Sequence, residues 1–162
     1  MIKKLNLGCG GDIMEGYINV DSLKLNGVDI VHNLNKFPWP FKNNTFEEVI
    51  MKSVLEHVDN PIKTLKEVIR IGSNNSSITI IVPYAHSLAA VTDIQHKTHF
   101  TENSFSEELL REYDLQELKL EKRQFLYKNL WKRYIPFKRI LNVFLNGIYD
   151  DLLFEFKITK KS

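Results

Sequence analysis

Residues 3–12 read Lys-Lys-Leu-Asn-Leu-Gly-Cys-Gly-Gly-Asp, and residues 16–22 follow as Gly-Tyr-Ile-Asn-Val-Asp-Ser. The first apolar run is short and ends in glycines, which is typical of a buried strand followed by a tight turn. The second run is rich in β-branched and aromatic residues, and it predicts another strand that ends at Asp21. Because ligands of open α/β sheets bind just beyond the carboxyl ends of the strands, we expect a ligand site between the glycine turn and Asp21.

The spacing of these residues discriminates between nucleotide ligands. A dinucleotide fingerprint needs a third glycine at a fixed offset and an acid about 20 residues later, and Asp21 comes too early for it. A phosphate-binding loop closes on Gly-Lys-Ser/Thr, whereas Asp12 follows Gly11 here. An acid among the glycines repels a pyrophosphate but tolerates a sulfonium and an ammonium group, while Asp21 can accept hydrogen bonds from ribose hydroxyls. These features favour S-adenosylmethionine.

Five segments resemble, in order, successive motifs of class I S-adenosylmethionine-dependent methyltransferases, and in particular their small type 11-like branch. They are Leu-Asn-Leu-Gly-Cys-Gly at 5–10, Asp21, Phe-Lys-Asn-Asn-Thr-Phe at 41–46, Val-Leu-Glu-His-Val at 54–58 and Ile-Thr-Ile-Ile-Val-Pro at 78–83. The resemblance covers about the first hundred residues. It implies an α/β fold with a Rossmann-like, doubly wound seven-stranded sheet, mostly parallel with a final antiparallel strand. Since few residues separate Gly11 from Gly16, we expect an abbreviated first helix.

The resemblance implies S-adenosylmethionine as cofactor and a binding set at the ends of the first four strands. That set is Gly8, Cys9, Gly10, Asp21, Ser22, Asn33, Leu34, Lys52 and Ser53. The family commonly has an aspartate where Asn33 stands, in contact with the adenine amino group. The amide oxygen of Asn33 can still accept that hydrogen bond, or it shapes the loop through an Asx-turn. Both interpretations stay open.

Three histidines are candidate general bases, namely His57, His96 and His99. A helical apolar pattern runs from Val54 to Ile71, and Asn60 and Pro61 mark a start or restart within it. His57 lies near the front of this segment. The other two lie in a segment that the resemblance places over the active site. If that segment were helical, Asp93 would share a face with both, which allows a metal site. We expect no metal, because the third ligand drifts around the helix and the segment could equally be a loop. Substrate contact and a structural role are the alternatives for each histidine, and the segment that carries His96 and His99 could also form a lid.

The stretch from Lys122 to Tyr149 has no acidic residue and interleaves basic with aromatic side chains. We expect a single domain over residues 1–162, with this stretch inserted between its sixth and seventh strands at about 122–149. An apolar stripe at helical spacing comprises Leu126, Leu130, Tyr134, Phe137, Ile140, Leu141 and Phe144. Such a stripe favours a lid or a dimer patch. A membrane surface or lipid-linked substrate, and a nucleic-acid surface, are the alternatives.

The composition of the chain excludes several classes of protein. Its 162 residues, 43% hydrophobic and 26% charged, fit one globular domain. A formal charge of +2 says little about partners, so a case for an acidic partner must rest on local clusters of basic residues. The single Cys9 excludes an internal disulfide and a multi-cysteine metal site. Because no signal region and no apolar run of membrane-spanning length occurs, we expect a cytoplasmic protein.

These observations predict a methyltransferase whose reaction is an in-line displacement at the carbon bound to sulfur. A base is then needed only if the acceptor is a hydroxyl or a protonated amine. Lys52 and Ser53 stand where some amino-group methyltransferases carry Asn/Asp-Pro-Pro-aromatic, which argues against adenine or glutamine N-methylation. The resemblance favours a hydroxyl of a small molecule, sugar or glycan. A nucleic-acid methyltransferase and a non-catalytic interaction module of the same fold are the alternatives.

Overall fold

The structure is a computed structural model that describes residues 3–138, 141 and 147–160. One sheet contains seven strands: β1 (Lys4–Leu7), β2 (Ile18–Asp21), β3 (Ile30–Val31), β4 (Phe46–Lys52), β5 (Gly72–Pro83), β6 (Leu118–Leu126) and β7 (Asp151–Ile158). The described helices are α1 (Pro61–Ile71), α2 (Leu88–Thr92), α3 (Glu107–Glu112) and a 3₁₀ helix at Leu130–Tyr134. The spatial order of the strands is β3-β2-β1-β4-β5-β7-β6.

Strands β3, β2, β1, β4 and β5 are parallel, while β7 runs antiparallel to both β5 and β6. This arrangement confirms the predicted α/β class and the final antiparallel strand. Alternate residues of the strands, such as Leu7, Met51, Ile80 and Phe154, are fully buried and form one apolar cluster with the helices. The order reverses between β1 and β4, so the carboxyl ends of these two strands flank the crevice where such sheets bind ligands.

The connection between β1 and β2 consists of turns only, so the abbreviated first helix is reduced to a loop. Two buried asparagines hold this loop against the sheet. The Asn6 side-chain amide donates to the Asp12 carbonyl at 2.8 Å and to the Asn19 side-chain oxygen at 3.0 Å. Asn19 in turn accepts from the Met14 amide at 2.9 Å. Side-chain hydrogen bonds therefore satisfy loop backbone groups that a helix would otherwise pair internally.

Helix α1 begins at Pro61, later than the predicted start at Val54. Proline lacks an amide hydrogen and suits the first turn, and the Asn60 side chain caps it by accepting from the Lys63 amide at 2.9 Å. The restart that Asn60 and Pro61 indicated is thus the true start. Residues 54–60 form turns instead, and they place His57 in a loop.

Strand β6 continues to Leu126, so the connection to β7 begins at Tyr127 and not at about residue 122. Residues beyond 120 stay extended because they pair with β7, and their polar side chains are tolerated on an edge strand. Within the connection, Leu130–Tyr134 forms a 3₁₀ helix. Of the other residues of the predicted helical stripe, Leu126 ends β6 and Phe137 lies in a turn beyond the 3₁₀ helix. Ile140 and Phe144, and the side chain of Leu130, lie outside the described residues.

Ion pairs tie this connection to the start of β7. The Lys132 ammonium lies 2.7 Å from the Asp150 carboxylate, and both side chains are largely buried. Lys128 lies 3.5 Å from Asp151. Two of the lysines that made this segment look basic are therefore neutralised within the chain.

Within the part of the chain that the structure describes, no helix has the length and apolar character needed to cross a membrane. The cytoplasmic location stays a prediction.

Candidate functional site

A cavity of about 360 Å³ opens at the carboxyl ends of β1 to β4. Its lining residues are Gly8, Asp21, Ser22, His32, Asn33, Leu34, Asn35, Ser53, Val54, His57 and Val58. Most of the predicted cofactor set is therefore gathered in one place by the four strand ends. Cys9, Gly10 and Lys52 do not line the cavity.

Gly8 forms the floor of the cavity where β1 ends. Its φ of +64° lies in the left-handed region, which side chains with a Cβ adopt only with strain. A Cβ at this position would lie 2.4 Å from Cγ2 of Val54. The glycine therefore leaves space at the point where backbone would approach a ligand.

Asp21 organises the polar wall. Its two carboxylate oxygens accept from the Gly10 amide at 2.8 Å and from the Leu23 amide at 2.9 Å. An ionised carboxylate offers about four acceptor positions, so capacity remains for ribose hydroxyls. Gly10 thus contributes by anchoring Asp21, although it does not itself line the cavity.

Cys9 is buried beneath the turn, and its amide donates to the Val20 carbonyl at 3.0 Å. Burial, followed by the negative charge of Asp21, raises the pKa of the Cys9 thiol. A neutral, buried thiol is a poor nucleophile. Cys9 therefore acts as a small residue that fits the turn.

Asn33 lies on the cavity wall and forms an Asx-turn, because its side-chain oxygen accepts from the Asn35 amide at 2.9 Å. The structure thus contains the loop-shaping interaction, and the second lone pair of the same oxygen still allows an adenine contact. Asn35, which sequence reasoning missed, accepts from the Asp59 amide at 2.8 Å and links this loop to the turn before α1. The only sequence signal for it was the run of asparagines around Leu34.

Lys52 and Ser53 separate at the end of β4. The Lys52 ammonium points away to pair with the Asp12 carboxylate at 2.6 Å, with both side chains more than half exposed. Ser53 turns into the cavity with a φ of +53°, and its amide donates to the Ile81 carbonyl at 2.8 Å. Residues on alternate sides of a strand cannot both face one site, so only Ser53 lines it.

The structure brings together two of the three candidate bases. His57 lines the cavity, and its ring packs edge-on against that of His96 with the centroids 4.7 Å apart. Residues 93–99 are not helical, so Asp93, His96 and His99 do not share a helix face. His99 lies instead on a second, largely apolar cavity of about 450 Å³ between α1 and α3.

Glu56, beside His57, was not identified as a site residue from the sequence. Its side chain is 1% exposed, and neither carboxylate oxygen has a hydrogen-bond partner among the described residues. Burial raises the pKa of Glu56 to about 7. Such a group near a ligand cavity is a candidate for function, because burial of an unpaired carboxylate costs stability.

All the residues that line the cavity lie within the part of the chain that matches a known protein-family model. Residues 8–80 match the model of a family described as a methyltransferase domain. This match begins at the glycine turn and ends within β5, so it includes every residue that lines the cavity. No curated protein sequence matches the chain significantly.

Solved structures share the fold across nearly the whole chain. A SAM-dependent methyltransferase from Archaeoglobus fulgidus is 18% identical, with a TM-score of 0.67 over 94% of this chain and 84% of that one. An S-adenosylmethionine-dependent methyltransferase from Mesorhizobium loti is 11% identical, with a TM-score of 0.67 over 96% and 90%. The 1,6-didemethyltoxoflavin-N1-methyltransferase of Burkholderia thailandensis, solved with S-adenosylhomocysteine, is 14% identical, with a TM-score of 0.65 over 96% and 70%. The resemblance to class I methyltransferases is confirmed at the level of fold.

Proposed function

We propose that this protein, whose fold is that of class I S-adenosylmethionine-dependent methyltransferases, transfers a methyl group from S-adenosylmethionine to a hydroxyl of a small molecule or sugar. The observation that carries the proposal is the convergence of Gly8, Asp21, Asn33 and Ser53 on one cavity. These residues come from four strand ends. The fold alone does not determine an activity, and the argument rests on this site.

The residues present fit the proposed cofactor. The Gly8 backbone can approach a ligand closely, and Asp21 keeps acceptor capacity for two ribose hydroxyls. The wall around Asn33 and Leu34 offers a polar edge and an apolar surface suited to adenine. S-adenosylmethionine would supply a methyl group already bound to a good leaving group, so the chain's main task is to hold the acceptor in line with it.

His57 supports the assignment to a hydroxyl acceptor. A hydroxyl must lose its proton during transfer, and a histidine on the cavity wall is suited to take that proton. The ring of His96 packs against His57 and restricts its orientation. His57 is therefore the residue to test first.

We expect the His57→Asn variant to bind S-adenosylmethionine within about threefold of the native affinity but to transfer methyl groups about 100-fold more slowly, the lower end of typical general-base effects. Calorimetric titration with S-adenosylmethionine and S-adenosylhomocysteine measures the first quantity. Transfer of a radiolabelled methyl group to panels of glycans and hydroxylated small molecules measures the second. Failure of the native protein to bind either ligand would refute the methyltransferase and favour the non-catalytic module.

The connection between β6 and β7 suggests how an acceptor could arrive. Trp131, Tyr134 and Phe137 are 65%, 83% and 78% exposed. The apolar side chains of Leu88 and Val91 on α2 are also exposed, and the Gly147 amide joins the two segments by donating to the His86 carbonyl at 2.8 Å. We propose that these side chains contact a membrane surface that carries a lipid-linked acceptor.

Combined replacement of Trp131, Tyr134 and Phe137 by Ala is expected to weaken binding to vesicles of phosphatidylcholine and phosphatidylglycerol at least tenfold. Co-sedimentation measures the binding. Val31→Ala, which removes a half-exposed apolar side chain at the opposite sheet edge, serves as control. If the native protein does not bind the vesicles, the membrane proposal is wrong and a lid or dimer patch takes its place.

A nucleic-acid acceptor finds less support in the described residues. Lys128 and Lys132 pair with Asp151 and Asp150, and so they are not free to neutralise phosphates. The side chains of Arg133 and Arg139 lie outside the described residues. The exposed aromatic side chains fit a lipid surface without needing that charge.

A further inference from the structure

Glu56, His57 and His96 form a compact cluster at the edge of the cofactor cavity. Each offers one possible ligand atom, and these three atoms all lie within 4.8 Å of one another. The cluster joins two loops, one after β4 and one after α2. The Lys97 amide fixes their separation by donating to the Glu56 backbone carbonyl at 2.8 Å.

The carboxylate of Glu56 lacks the partner that its burial requires. Its side chain is 99% buried, since its exposed fraction is 1%, yet neither oxygen has a hydrogen-bond partner among the described residues. Most buried polar groups in native proteins are paired, and an unpaired one calls for an explanation such as an ion. Nδ1 of His57 is likewise buried without such a partner. The unsatisfied atoms therefore belong to two residues of the same cluster.

The hydrogen bond that His96 makes to the backbone leaves its Nε2 as the nitrogen available to a metal ion. Its Nδ1 lies 3.0 Å from the Ala90 carbonyl oxygen, and because a carbonyl only accepts, Nδ1 must carry the hydrogen. In the neutral ring, Nε2 then has a free lone pair. A hydrogen bond from the second nitrogen to a carbonyl is the usual support of a metal-bound histidine.

We propose that Glu56, His57 and His96 bind one divalent ion of the Zn²⁺ class. Two imidazole nitrogens and one carboxylate oxygen are a common donor set for such ions, with a remaining position left open. Metal–ligand bonds of about 2.1 Å in a tetrahedron place ligand atoms about 3.4 Å apart, so ligand atoms that lie within 4.8 Å of one another must approach by up to about 1.4 Å through side-chain rotation. Asp93, whose carboxylate lies 3.8 Å from Nε2 of His96, is near enough to assist.

The role of the metal ion that we infer here rests on the proposed methyl transfer, and it extends that proposal to the class of acceptor. His57 belongs to both the metal cluster and the cofactor cavity, so the open coordination position would face the acceptor. A divalent ion there would bind the acceptor oxygen and lower the pKa of its hydroxyl. With its lone pair bound to the ion, His57 would hold the metal, and the ion would replace it in promoting loss of the acceptor proton. The acceptor class is then a hydroxyl with a neighbouring oxygen that can also bind the ion.

The test measures metal binding without any assay of activity. The purified protein is freed of metal with a chelator, then titrated with Zn²⁺ by calorimetry and with Co²⁺ by visible absorption. We expect one ion per chain, and at least tenfold weaker binding in each of Glu56→Gln, His57→Asn and His96→Asn. The control is His99→Asn, because His99 lies on the other cavity and its loss should leave binding within twofold.

The outcomes separate this site from the proposed function. If the native protein does not bind the metal ion, the metal site is wrong. It is also wrong if binding survives all three substitutions, because the ion would then be bound adventitiously at the surface. Survival in Glu56→Gln alone also overturns it, since the carboxylate would then be no ligand. Titration of the same preparation with S-adenosylmethionine tests the cofactor independently, because either ligand can bind without the other. Thermal unfolding of each variant shows whether a loss of binding merely reflects a loss of fold.

Discussion

Replacement of Asp21 by Asn is expected to weaken S-adenosylmethionine binding about 100-fold. Both carboxylate oxygens already accept backbone hydrogen bonds, one from Gly10 and one from Leu23. An asparagine has only one acceptor oxygen, so one of these amides would face an NH₂ group and lose its partner. Hydrogen bonds to a charged group contribute about 1.5–3 kcal/mol each, and 1.4 kcal/mol corresponds to a factor of ten in affinity. The loss of ribose contacts and the disordering of the glycine turn therefore both weaken the binding of S-adenosylmethionine.

Calorimetric titration with S-adenosylmethionine measures this effect, and Asp12→Asn is the matched control. Asp12 lies in the same turn region, but its carboxylate is exposed and pairs with Lys52 on the surface. Exposed ion pairs contribute little, so we expect an affinity within about twofold of the native value. An Asp21→Asn variant that binds as tightly as the control would show that the ribose is held elsewhere.

The general fold and the convergence of Gly8 and Asp21 on one cavity were predictable because they depend on short local patterns. A strand that ends in glycines and a strand that ends at Asp21 determine the local backbone, and parallel pairing then brings these ends together. Asn60 and Pro61 carry a capping signal that is local in the same sense, and the structure confirms it. Patterns of this kind are independent of the rest of the chain.

The cluster of Glu56, His57 and His96 could not be predicted because it depends on contacts between loops. Glu56 and His96 are far apart in sequence, and neither lies on a helix or strand whose period would indicate its direction. Lys52 was predicted to bind the cofactor, but its side chain points away from the cavity and pairs with Asp12. The side of the sheet on which this side chain lies depends on how β4 pairs with its neighbours, which the local sequence does not reveal. The described part of the connection after β6 is ordered by ion pairs to Asp150 and Asp151, which no periodic pattern reveals.

Replacement of Gly8 by Ala is expected to destabilise the protein by about 2–5 kcal/mol and to abolish measurable binding of S-adenosylmethionine. A residue with a Cβ pays about 1–2 kcal/mol in the left-handed region, and overpacking adds about 1–3 kcal/mol. The added Cβ would lie 2.4 Å from Cγ2 of Val54, which itself lines the cavity. Val54 must therefore move, and the site changes shape as the protein loses stability. For a domain of this size, we expect the midpoint of thermal unfolding to fall by roughly 5–15 °C.

Gly11→Ala is the matched control for this prediction. Gly11 lies in the same turn, has no left-handed φ, and no heavy atom lies within 4 Å of a Cβ built there. Alanine at such a position is expected to be neutral or to stabilise by up to about 1 kcal/mol, because it restricts the unfolded chain. Equal behaviour of the Gly8 and Gly11 variants would contradict the close approach at Gly8.

A double variant separates the two costs at Gly8. In Gly8→Ala with Val54→Ala the severe clash is relieved, because the Val54 methyl groups that the new Cβ would meet are absent and only the Cβ of residue 54, 3.3 Å away, remains. The strain of the left-handed φ remains. Thermal unfolding of the native protein, both single variants and the double variant forms a double-mutant cycle, and we expect a favourable coupling of about 1–2 kcal/mol. A coupling near zero would mean that backbone strain alone requires glycine at the base of the cavity, and that Val54 does not contribute to this requirement.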